Sequence, residues 1–354
     1  MSSRQPKEPR KIELRSDNCA GVAPEILAAI ERANTGSALA YGGDAITAQL
    51  GELAREVFED SEAKIFPVLS GTAANSLALS AMCPPWGSVL CHESAHIFVN
   101  EAGATSLFGA GAVMRGLPGS DYKLHPNEVQ QAFDTTLWDD AHCSQPSVLS
   151  LTCPTDFGTI YTPEEVSVLG ALAMSRGLRL HLDGARMANA LVALGCTAAE
   201  LTTKTGVHAF SLGATKNGAL STDAIVSFDP VASEQLFYRL KRAGQVASKM
   251  RFQSVQLLAY LTDGLWLRLA QRANDAMIAL ASGLRALNVK LLADSQANMV
   301  FAEVGQPSIE RLIAEGLLFY EMGDGVLRFV TSFQTTDDDI EEALRRIERA
   351  LNPG

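Results

Sequence analysis

The chain has 354 residues, of which 47 % are hydrophobic and 19 % charged, a composition typical of a globular protein with one large core or two unequal domains. Its formal net charge of −11 at pH 7 argues against nucleic acid or an anionic membrane surface as a partner, although a local basic pocket still permits a small anionic ligand. No run of about 20 apolar residues occurs, so we expect no membrane-spanning helix. The six cysteines form no CxxC pair and no histidine completes a zinc signature, which predicts free thiols in a reducing cytoplasm and no metal site.

In the first two thirds of the chain, predicted helices and strands alternate. The polar, basic start predicts a flexible tail over residues 1–13. The elements predicted after it are, in chain order, helix 24–31, helix 47–59, strand 64–69, helix 73–82, strand 89–91, helix 97–102, helix 124–134, strand 147–152, helix 163–176, strand 178–182, helix 185–194, strand 207–212 and strand 224–228. This alternation predicts an α/β fold with a mostly parallel sheet.

The last third of the chain has a different pattern, with longer helices. Its predicted elements are helix 235–242, helix 253–287, strand 299–303, a following helix, strand 325–331 and helix 337–351. We therefore expect a large domain over residues 14–250 and a smaller C-terminal α+β domain over residues 251–354, with the boundary placed to within roughly ten residues.

Ligands of open α/β sheets bind beyond the carboxyl ends of the strands, so the residues after each predicted strand are candidates for a site. The turn Ser70-Gly71-Thr72 lies between a strand and a helix, where free N–H groups at the helix start suit a phosphate. A simple helix cap by Ser70 or Thr72 explains the same residues and is common. This turn alone does not decide between the two interpretations.

The next candidates are two charged residues after a later strand. Asp183 follows the apolar strand 178–182, where it can cap the next helix or hold a protonated ring nitrogen of a ligand. Arg186 lies three residues further on, where it can bind a carboxylate in a bidentate pair or form a surface salt bridge.

Lys216 differs from the other eight lysines, because it follows a strand in the glycine-rich turn Gly213–Gly218 with no acid close in sequence. Burial of such an amine favours its neutral, nucleophilic form and imine chemistry, whereas a phosphate-binding or structural lysine is the alternative. Asp183 and Lys216 are separated by one helix and one strand, a spacing that can bring both to one sheet edge near Gly71. A phosphate cradle, a ring-nitrogen partner and an imine lysine are what pyridoxal phosphate requires.

Two histidines complete the candidates. His96 follows the strand 89–91, and His142 precedes the strand 147–152. Either can move protons or contact a flat ring, and either can be an ordinary structural histidine. The segments themselves leave these alternatives open.

Taken together, these motifs resemble those of the L-threonine aldolases, in their low-specificity bacterial branch, which belong to the fold type I (aspartate-aminotransferase-like) pyridoxal phosphate enzymes. The resemblance covers almost the whole chain after the tail, and the lysine turn with His181–Arg186 (HLDGAR) is its most specific part. The segment Cys153–Asp156 differs from that of many relatives, which leaves the preferred side chain of the substrate open. The motifs that carry the resemblance are 14–18 (LRSDN), 70–75 (SGTAAN), 95–97 (AHI), 101–103 (EAG), 181–186, 213–218 (GATKNG), 248–253 (SKMRFQ) and 327–331 (LRFVT).

The resemblance implies a fold with a mostly parallel seven-stranded sheet and a role for each candidate residue. Catalysis would involve Lys216 as the imine lysine, Asp183 at the pyridinium nitrogen, and His96 and His142 near the substrate hydroxyl. The resemblance also implies a homotetramer, a dimer of dimers with sites between subunits. The implied cofactor-binding residues are Gly71, Thr72, His96, Asp183, Arg186, Lys216 and Arg251, the last from a neighbouring subunit, and the implied substrate-carboxylate residues are Ser16, Arg186 and Arg328.

The implied reaction is a retro-aldol cleavage of β-hydroxy-α-amino acids, such as L-threonine and L-allo-threonine, to glycine and an aldehyde, with His96 or His142 as the base. Another pyridoxal phosphate activity, such as β-elimination or transamination, is the nearest alternative. A nicotinamide enzyme would need a GxGxxG turn that is absent here, and a non-catalytic protein on the same fold is the remaining alternative.

Overall fold

The computed structural model describes residues 10–352, which fold into a large sheet flanked by helices and a smaller sheet near the C-terminal end. The strands are β1 (Ile12–Glu13), β2 (Lys64–Val68), β3 (Gly87–His92), β4 (Val113–Leu117), β5 (Gln145–Thr152), β6 (Arg179–Gly184), β7 (Ala209–Leu212), β8 (Asp223–Ser227), β9 (Lys290–Leu291), β10 (Met299–Glu303), β11 (Leu317–Leu318), β12 (Tyr320–Glu321) and β13 (Val326–Val330). The helices are α1 (Pro24–Ala33), α2 (Ala45–Val57), α3 (Gly71–Met82), α4 (His96–Val99), α5 (Ala104–Phe108), α6 (Pro126–Asp134), α7 (Pro163–Met174), α8 (Met187–Leu194), α9 (Ala198–Leu201), α10 (Pro230–Arg242), α11 (Arg251–Leu261), α12 (Leu265–Ala286), α13 (Gln306–Ala314) and α14 (Asp337–Leu351). Within the described range, every helix is too short or too polar to serve as a membrane span.

The large sheet has seven strands in the order β2-β8-β7-β6-β5-β3-β4, and all of them are parallel except β8. The prediction of an α/β fold with a mostly parallel seven-stranded sheet is confirmed. The central strands are continuous apolar runs because helices cover both faces of the sheet. Parallel strands end at a common edge, so the residues that follow β2, β3, β5, β6 and β7 converge there.

The smaller sheet is antiparallel, in the order β12-β13-β10-β9, and packs against α12, α13 and α14. The domain boundary predicted at residue 250 stays a prediction, and helix α11 begins at the next residue, Arg251. That helix packs on α1 and α2, and Leu257, Tyr260 and Trp266 lie in the core of the large domain. The separate core of the smaller domain begins only in the second half of α12, with Ala276 and Met277.

Three sequence predictions need correction. The helix predicted over residues 253–287 is two helices, because Asp263 and Gly264 both have positive φ and turn the chain between α11 and α12. Helix α5 and strand β4 were not predicted, since β4 is a half-exposed edge strand without an apolar run. The predicted tail lies partly outside the described residues, and its last two residues, Ile12 and Glu13, form a strand paired with β11. Ile12 is buried because the smaller domain's core includes it.

Candidate active site

A cavity of about 260 Å³ opens at the sheet edge where the parallel strands end. Its position is the one that the topology of an open α/β sheet favours for a ligand. The predicted residues Gly71, Thr72, His96, Asp183, Arg186 and Lys216 all line this cavity, together with Asn18, Leu69, Ser70, Asn75, Glu101, Thr152, Pro154, Asp156, Ala185, Ser211, Gly213, Thr215 and Asp223.

Asp183 lies at the end of β6, and its buried carboxylate accepts three hydrogen bonds. Oδ1 accepts from the Ala185 backbone N–H at 3.0 Å and from the Ser211 hydroxyl at 3.2 Å, and Oδ2 accepts from the Asn75 amide at 2.9 Å. These donors orient the carboxylate and satisfy a group that would be costly to bury alone. Such a carboxylate is suited to hold a cationic ring nitrogen in the cavity.

Lys216 follows β7, and its amine forms no hydrogen bond or ion pair with residues 10–352. Burial lowers the pKa of the amine, and the Arg186 guanidinium lowers it further, against the opposing effect of Asp17 and Asp183. A larger fraction of the amine is therefore neutral and nucleophilic than for a solvated lysine.

The turn that carries Lys216 is held by Asp223, a buried residue at the start of β8 that the sequence analysis did not identify. Asp223 Oδ1 accepts hydrogen bonds from the backbone N–H groups of Ala214 and Thr215 at 2.8 and 2.9 Å. Burial raises the pKa of the Asp223 carboxyl, despite the opposing effect of these two hydrogen bonds. Since β8 is antiparallel to β7, the first residue of β8, Asp223, lies at the edge of the sheet where β7 ends and the turn with Lys216 follows. Asp223 was not predicted because only residues after the ends of strands were considered, whereas an antiparallel strand brings its first residue to this edge.

The predicted phosphate cradle is the first turn of α3. The Ser70 hydroxyl caps the helix by accepting from the Ala73 N–H at 3.3 Å, so the capping interpretation of Ser70 is correct. The Gly71 and Thr72 N–H groups precede the first intrahelical bond and face no helical acceptor. No atom lies within 4 Å of the position that a Cβ on Gly71 would take, so the turn is open to a ligand. The cap by Ser70 therefore leaves the N–H groups of Gly71 and Thr72 available, and phosphate binding by this turn stays a prediction.

His96 is the first residue of α4, and it belongs to a chain of hydrogen bonds that reaches Asp183. Its Nδ1 lies 2.9 Å from Oε1 of the buried Glu101, and the same oxygen accepts from the Asn75 amide at 3.0 Å. Asn75 also donates to Asp183. The hydrogen bond to Glu101 raises the pKa of His96, against the effect of burial. The sequence motifs that include Glu101 and Asn75 predicted no role for them. In the structure these two side chains connect His96 to Asp183.

Arg186 forms a bidentate ion pair with the buried Asp17. Its Nε and one terminal nitrogen lie 2.6 and 2.9 Å from the two carboxylate oxygens. Asp17 also accepts a hydrogen bond from the Asn298 amide at 3.0 Å. The guanidinium is thus fixed at the cavity wall, where one of its terminal nitrogens remains for a ligand.

Arg328 lies on β13 of the smaller domain, beside the cavity rather than in its wall. Its buried Nε has no hydrogen-bond partner among the described residues, and its guanidinium lies 5.0 Å from the centre of the Tyr320 ring. Burial lowers the pKa of Arg328, and Arg186 lowers it further. A bound anion near both arginines would offset the cost of burying the Arg328 guanidinium close to the positive charge of Arg186. Ser16, by contrast, uses its hydroxyl to accept from the Asn18 N–H at 3.2 Å.

Of the predicted residues, Ser16 and Arg328 do not line the cavity, and His142 and Arg251 do not reach the cavity of their own chain. His142 is exposed and precedes β5, whereas the cavity lies at the other end of that strand, roughly 25 Å away for eight residues of strand. Arg251 starts α11, and one of its terminal nitrogens lies 3.4 Å from the Gly36 carbonyl. Any contact of these two side chains with a ligand in such a cavity would require a neighbouring subunit.

Asp156 is the residue in the cavity wall that the sequence analysis mentioned only as part of a divergent segment. It follows β5, and its Oδ2 accepts the His96 backbone N–H at 2.9 Å. The departure from the family pattern at Cys153–Asp156 was the signal that could have identified it.

The sequence and the fold were compared with those of known proteins. The family model described as "Beta-eliminating lyase" matches residues 13–307. The chain belongs to this family. It is 39 % identical to the low specificity L-threonine aldolase of Pseudomonas sp. (strain NCIMB 10558) and 40 % identical to that of Pseudomonas aeruginosa, in each case over 95 % of this chain and 97 % of the relative. The predicted resemblance to the low-specificity L-threonine aldolases is confirmed.

Solved structures of this family and of its wider fold agree with that placement. The structure of Leishmania major threonine aldolase is 25 % identical and superposes with a TM-score of 0.89 over 96 % of this chain and 99 % of that one. The aspartate aminotransferase of Thermus thermophilus, at 17 % identity, covers 97 % of this chain and 92 % of its own with a TM-score of 0.69, which shows the shared fold. The predicted aspartate-aminotransferase-like fold is confirmed.

As a member of this family the chain is a lyase that uses pyridoxal phosphate, and the cavity fits that group. It offers free N–H groups at the start of α3, the Asp183 carboxylate and the unpaired amine of Lys216. The buried Thr215 hydroxyl and the Asn75 carbonyl have no partner within residues 10–352, as expected of a wall that contacts a polar ligand. Gly71 and Thr72 would hold the phosphate, Asp183 the ring nitrogen, and Lys216 the aldehyde carbon.

Proposed function

We propose that this protein cleaves L-β-hydroxy-α-amino acids, including L-threonine and L-allo-threonine, to glycine and an aldehyde. The observation that carries the proposal is the meeting of Lys216 and Asp183 in one cavity of a chain 39–40 % identical to low specificity L-threonine aldolases. Bound pyridoxal phosphate would supply an electron-withdrawing ring that stabilises the electron pair left at Cα when the Cα–Cβ bond breaks.

The protein's own residues prepare this reaction by binding and orientation. The Lys216 amine, whose pKa burial lowers, would be the group that holds the cofactor. Asp183, fixed by its three donors, would hold the ring nitrogen and favour its protonated form. Fixing Cα between these groups favours the breaking of the bond to the hydroxyl-bearing carbon.

The substrate carboxylate has two guanidinium groups available. Arg186 is held in place by Asp17, and the buried Nε of Arg328 has no hydrogen-bond partner within residues 10–352. A carboxylate near both would be bound by charge-assisted hydrogen bonds, which orient Cα in the cavity. Ser16, whose hydroxyl accepts from the Asn18 N–H, supports the segment that carries Asp17.

The assembly and location of the protein are part of the same proposal. A homotetramer with sites between subunits would allow Arg251 and His142 to contact a neighbouring chain's cavity, since neither reaches its own. The cysteines of the described residues are all unpaired, which supports a reducing compartment such as the cytoplasm.

A visible spectrum of the purified protein with added pyridoxal phosphate tests the function first. We expect a yellow protein that releases aldehyde from L-threonine into a trap and glycine into solution. Lys216→Ala should release none, whereas Lys290→Ala, at an exposed lysine of the smaller domain, should match the wild type. A colourless protein would refute the use of the cofactor. Keto acid instead of glycine and aldehyde would assign the β-eliminating or aminotransferase activity.

A further inference from the structure

We propose that Asp156 is a further catalytic residue, the group that takes the proton of the substrate's β-hydroxyl as the Cα–Cβ bond breaks. The proposal rests on the proposed function, because it names the group that moves a proton in the same reaction. It is carried by the position of the Asp156 carboxylate, by the rigidity of its loop and by the state of the neighbouring histidine.

The carboxylate of Asp156 lies in the wall of the cavity that also contains Lys216 and Asp183. Oδ2 accepts the His96 backbone N–H at 2.9 Å. No donor within residues 10–352 is hydrogen-bonded to the other oxygen, which leaves it available to a ligand. The side chain is thus anchored through one oxygen and free through the other.

The loop that carries Asp156 is rigidly packed. The ring of Phe157 stacks between Tyr122, with ring centres 3.6 Å apart, and Phe301 of the smaller domain, at 4.8 Å. The Thr155 hydroxyl accepts the backbone N–H groups of Phe157 and Thr159 at 3.4 and 3.2 Å. A fixed carboxylate is what proton transfer within hydrogen-bond distance requires.

The surroundings of Asp156 make its carboxylate a stronger proton acceptor than a solvated aspartate. Burial raises the pKa of its carboxyl, and the nearby Asp183 carboxylate raises it further, whereas His96 and Arg186 lower it. A carboxylate whose pKa lies closer to neutrality is a stronger base. Asp156 also lines a second, much smaller cavity of about 10 Å³. The other titratable and charged groups around these two cavities are His92, Glu101, Tyr122, Tyr161, Lys216 and Asp223.

The two histidines predicted as bases are less suited to this step within one chain. Nδ1 of His96 is already engaged by Glu101 at 2.9 Å, and this contact raises the pKa of His96, which favours the imidazole as a hydrogen-bond donor. His142 lies at the opposite end of β5. Both residues line the cavity, so His96 as a donor and Asp156 as an acceptor would form a pair for one substrate hydroxyl.

The step balances without a co-reactant. The hydroxyl O–H bond breaks and its proton moves to Asp156, while the oxygen electron pair forms the carbonyl bond of the aldehyde. The Cα–Cβ electron pair remains with the glycine fragment. The proton then returns to Cα through solvent, so the substrate divides into glycine and aldehyde with no net gain or loss of electrons.

Asp156→Asn provides the sharpest test, because the amide oxygen still accepts the His96 N–H but cannot take a proton. We expect kcat for aldehyde release to fall by about 10²-fold or more, as for loss of a general base. The acidic limb of the pH profile of kcat should disappear with it. Thermal stability and the visible absorbance of bound cofactor should match the wild type, and Asp156→Glu should recover part of kcat. Asp338→Asn, an exposed acid in α14, is the matched control and should change nothing.

A second readout uses the cofactor-free protein. If Asp156 is ionised beside His96, its replacement by Asn should lower the His96 pKa measured by NMR titration of the imidazole. An unchanged His96 pKa, together with a wild-type kcat and pH profile, would overturn the assignment of Asp156. A fall in kcat matched by loss of stability and cofactor binding would also overturn it, in favour of a structural role. If the wild type itself forms no aldehyde, the proposed function fails and this proposal with it.

Discussion

The three aspartates that line the cavity with Lys216 differ in the number of donors that hold them, and this difference separates their functions. Asp183 accepts three hydrogen bonds and is fully committed to its position beside the ring site. Asp223 accepts two backbone N–H groups and shapes the turn that carries Lys216. Asp156 accepts a single bond from the protein. The least satisfied carboxylate is the one with capacity left for a reacting group.

Replacing Glu101 by Gln tests the control of His96. Gln keeps the shape of the contact but removes the anion, so we expect the His96 pKa, now raised above 6.5, to fall. A group whose pKa is raised in the folded state contributes to the stability of the protein. This contribution is complete below about pH 6.5 and is lost as the pH rises through the folded-state pKa. The stability deficit of Glu101→Gln should therefore be largest in acid and shrink above neutrality. NMR titration of His96 and denaturant unfolding at several pH values measure both effects.

The matched control for this prediction is Glu341→Gln, at an exposed position of α14. It should leave both the His96 titration and the unfolding free energy unchanged. An unaltered His96 pKa in Glu101→Gln would show that the contact at 2.9 Å does not govern the protonation of the imidazole.

At the level of residues, the sequence predicted the groups that directly follow apolar strands. Lys216 and Asp183 were identifiable because strand ends converge at one edge of a parallel sheet. Glu101 and Asp156 reach the cavity from loops whose paths no local pattern encodes. His142 illustrates the same limit, since its position at the beginning of β5 places it away from its own chain's cavity.

At the level of elements, the strongly periodic segments were predicted well and the breaks between them less well. The bounds of β10 and α14 agree with the structure, because both are bordered by clear signals, including the acids at the start of α14. The break between α11 and α12 was present in the sequence as Thr262-Asp263-Gly264, a typical turn, but the apolar periodicity on both sides concealed it. Edge strand β4 had no such periodicity to reveal it.

The contact between the turns after β6 and β7 depends on a glycine. A Cβ on Gly213 would lie 2.1 Å from the Ala185 carbonyl oxygen and 2.6 Å from the carbonyl carbon, both rigid backbone atoms. Gly213→Ala must therefore separate the turns that carry Asp183 and Lys216. We expect a loss of about 1–3 kcal/mol in unfolding free energy, as for other overpacked sites, and weaker binding of pyridoxal phosphate.

Denaturant unfolding and absorbance titration with the cofactor check this prediction. Gly51→Ala, within α2 and with only the end of the Arg55 side chain nearby, is the control and should instead stabilise by about 0.5–1 kcal/mol. Equal stability of Gly213→Ala and the wild type would mean that the two turns separate without cost.

At the level of the whole molecule, the segment that begins at β1 connects the two domains to the cavity. Strand β1 pairs with β11, and Leu14 lies in the core of the smaller domain. A few residues later, Asp17 binds Arg186 of the large domain and Asn298 beside the smaller sheet. A sequence interpretation that ended the tail at residue 13 could not foresee this, because pairing with β11 joins residues 305 positions apart, such as Ile12 and Leu317.

Asp17→Asn tests whether this connection holds the molecule together. Burial alone would raise the Asp17 pKa, but the Arg186 guanidinium outweighs it and lowers the pKa below 3.8. A lowered folded-state pKa contributes stability that is present above about pH 4 and lost as pH falls through the folded pKa. Since the variant leaves the buried Arg186 unpaired, we expect it to lose about 3–5 kcal/mol at neutral pH. Its stability should also fall less steeply in acid, when unfolding is followed from pH 7 to pH 2.

Asp294→Asn, which removes the exposed partner of Arg285, is the control and should cost less than about 1 kcal/mol in unfolding free energy. If both variants behave alike, the pair of Asp17 and Arg186 orients the guanidinium at the cavity without stabilising the fold.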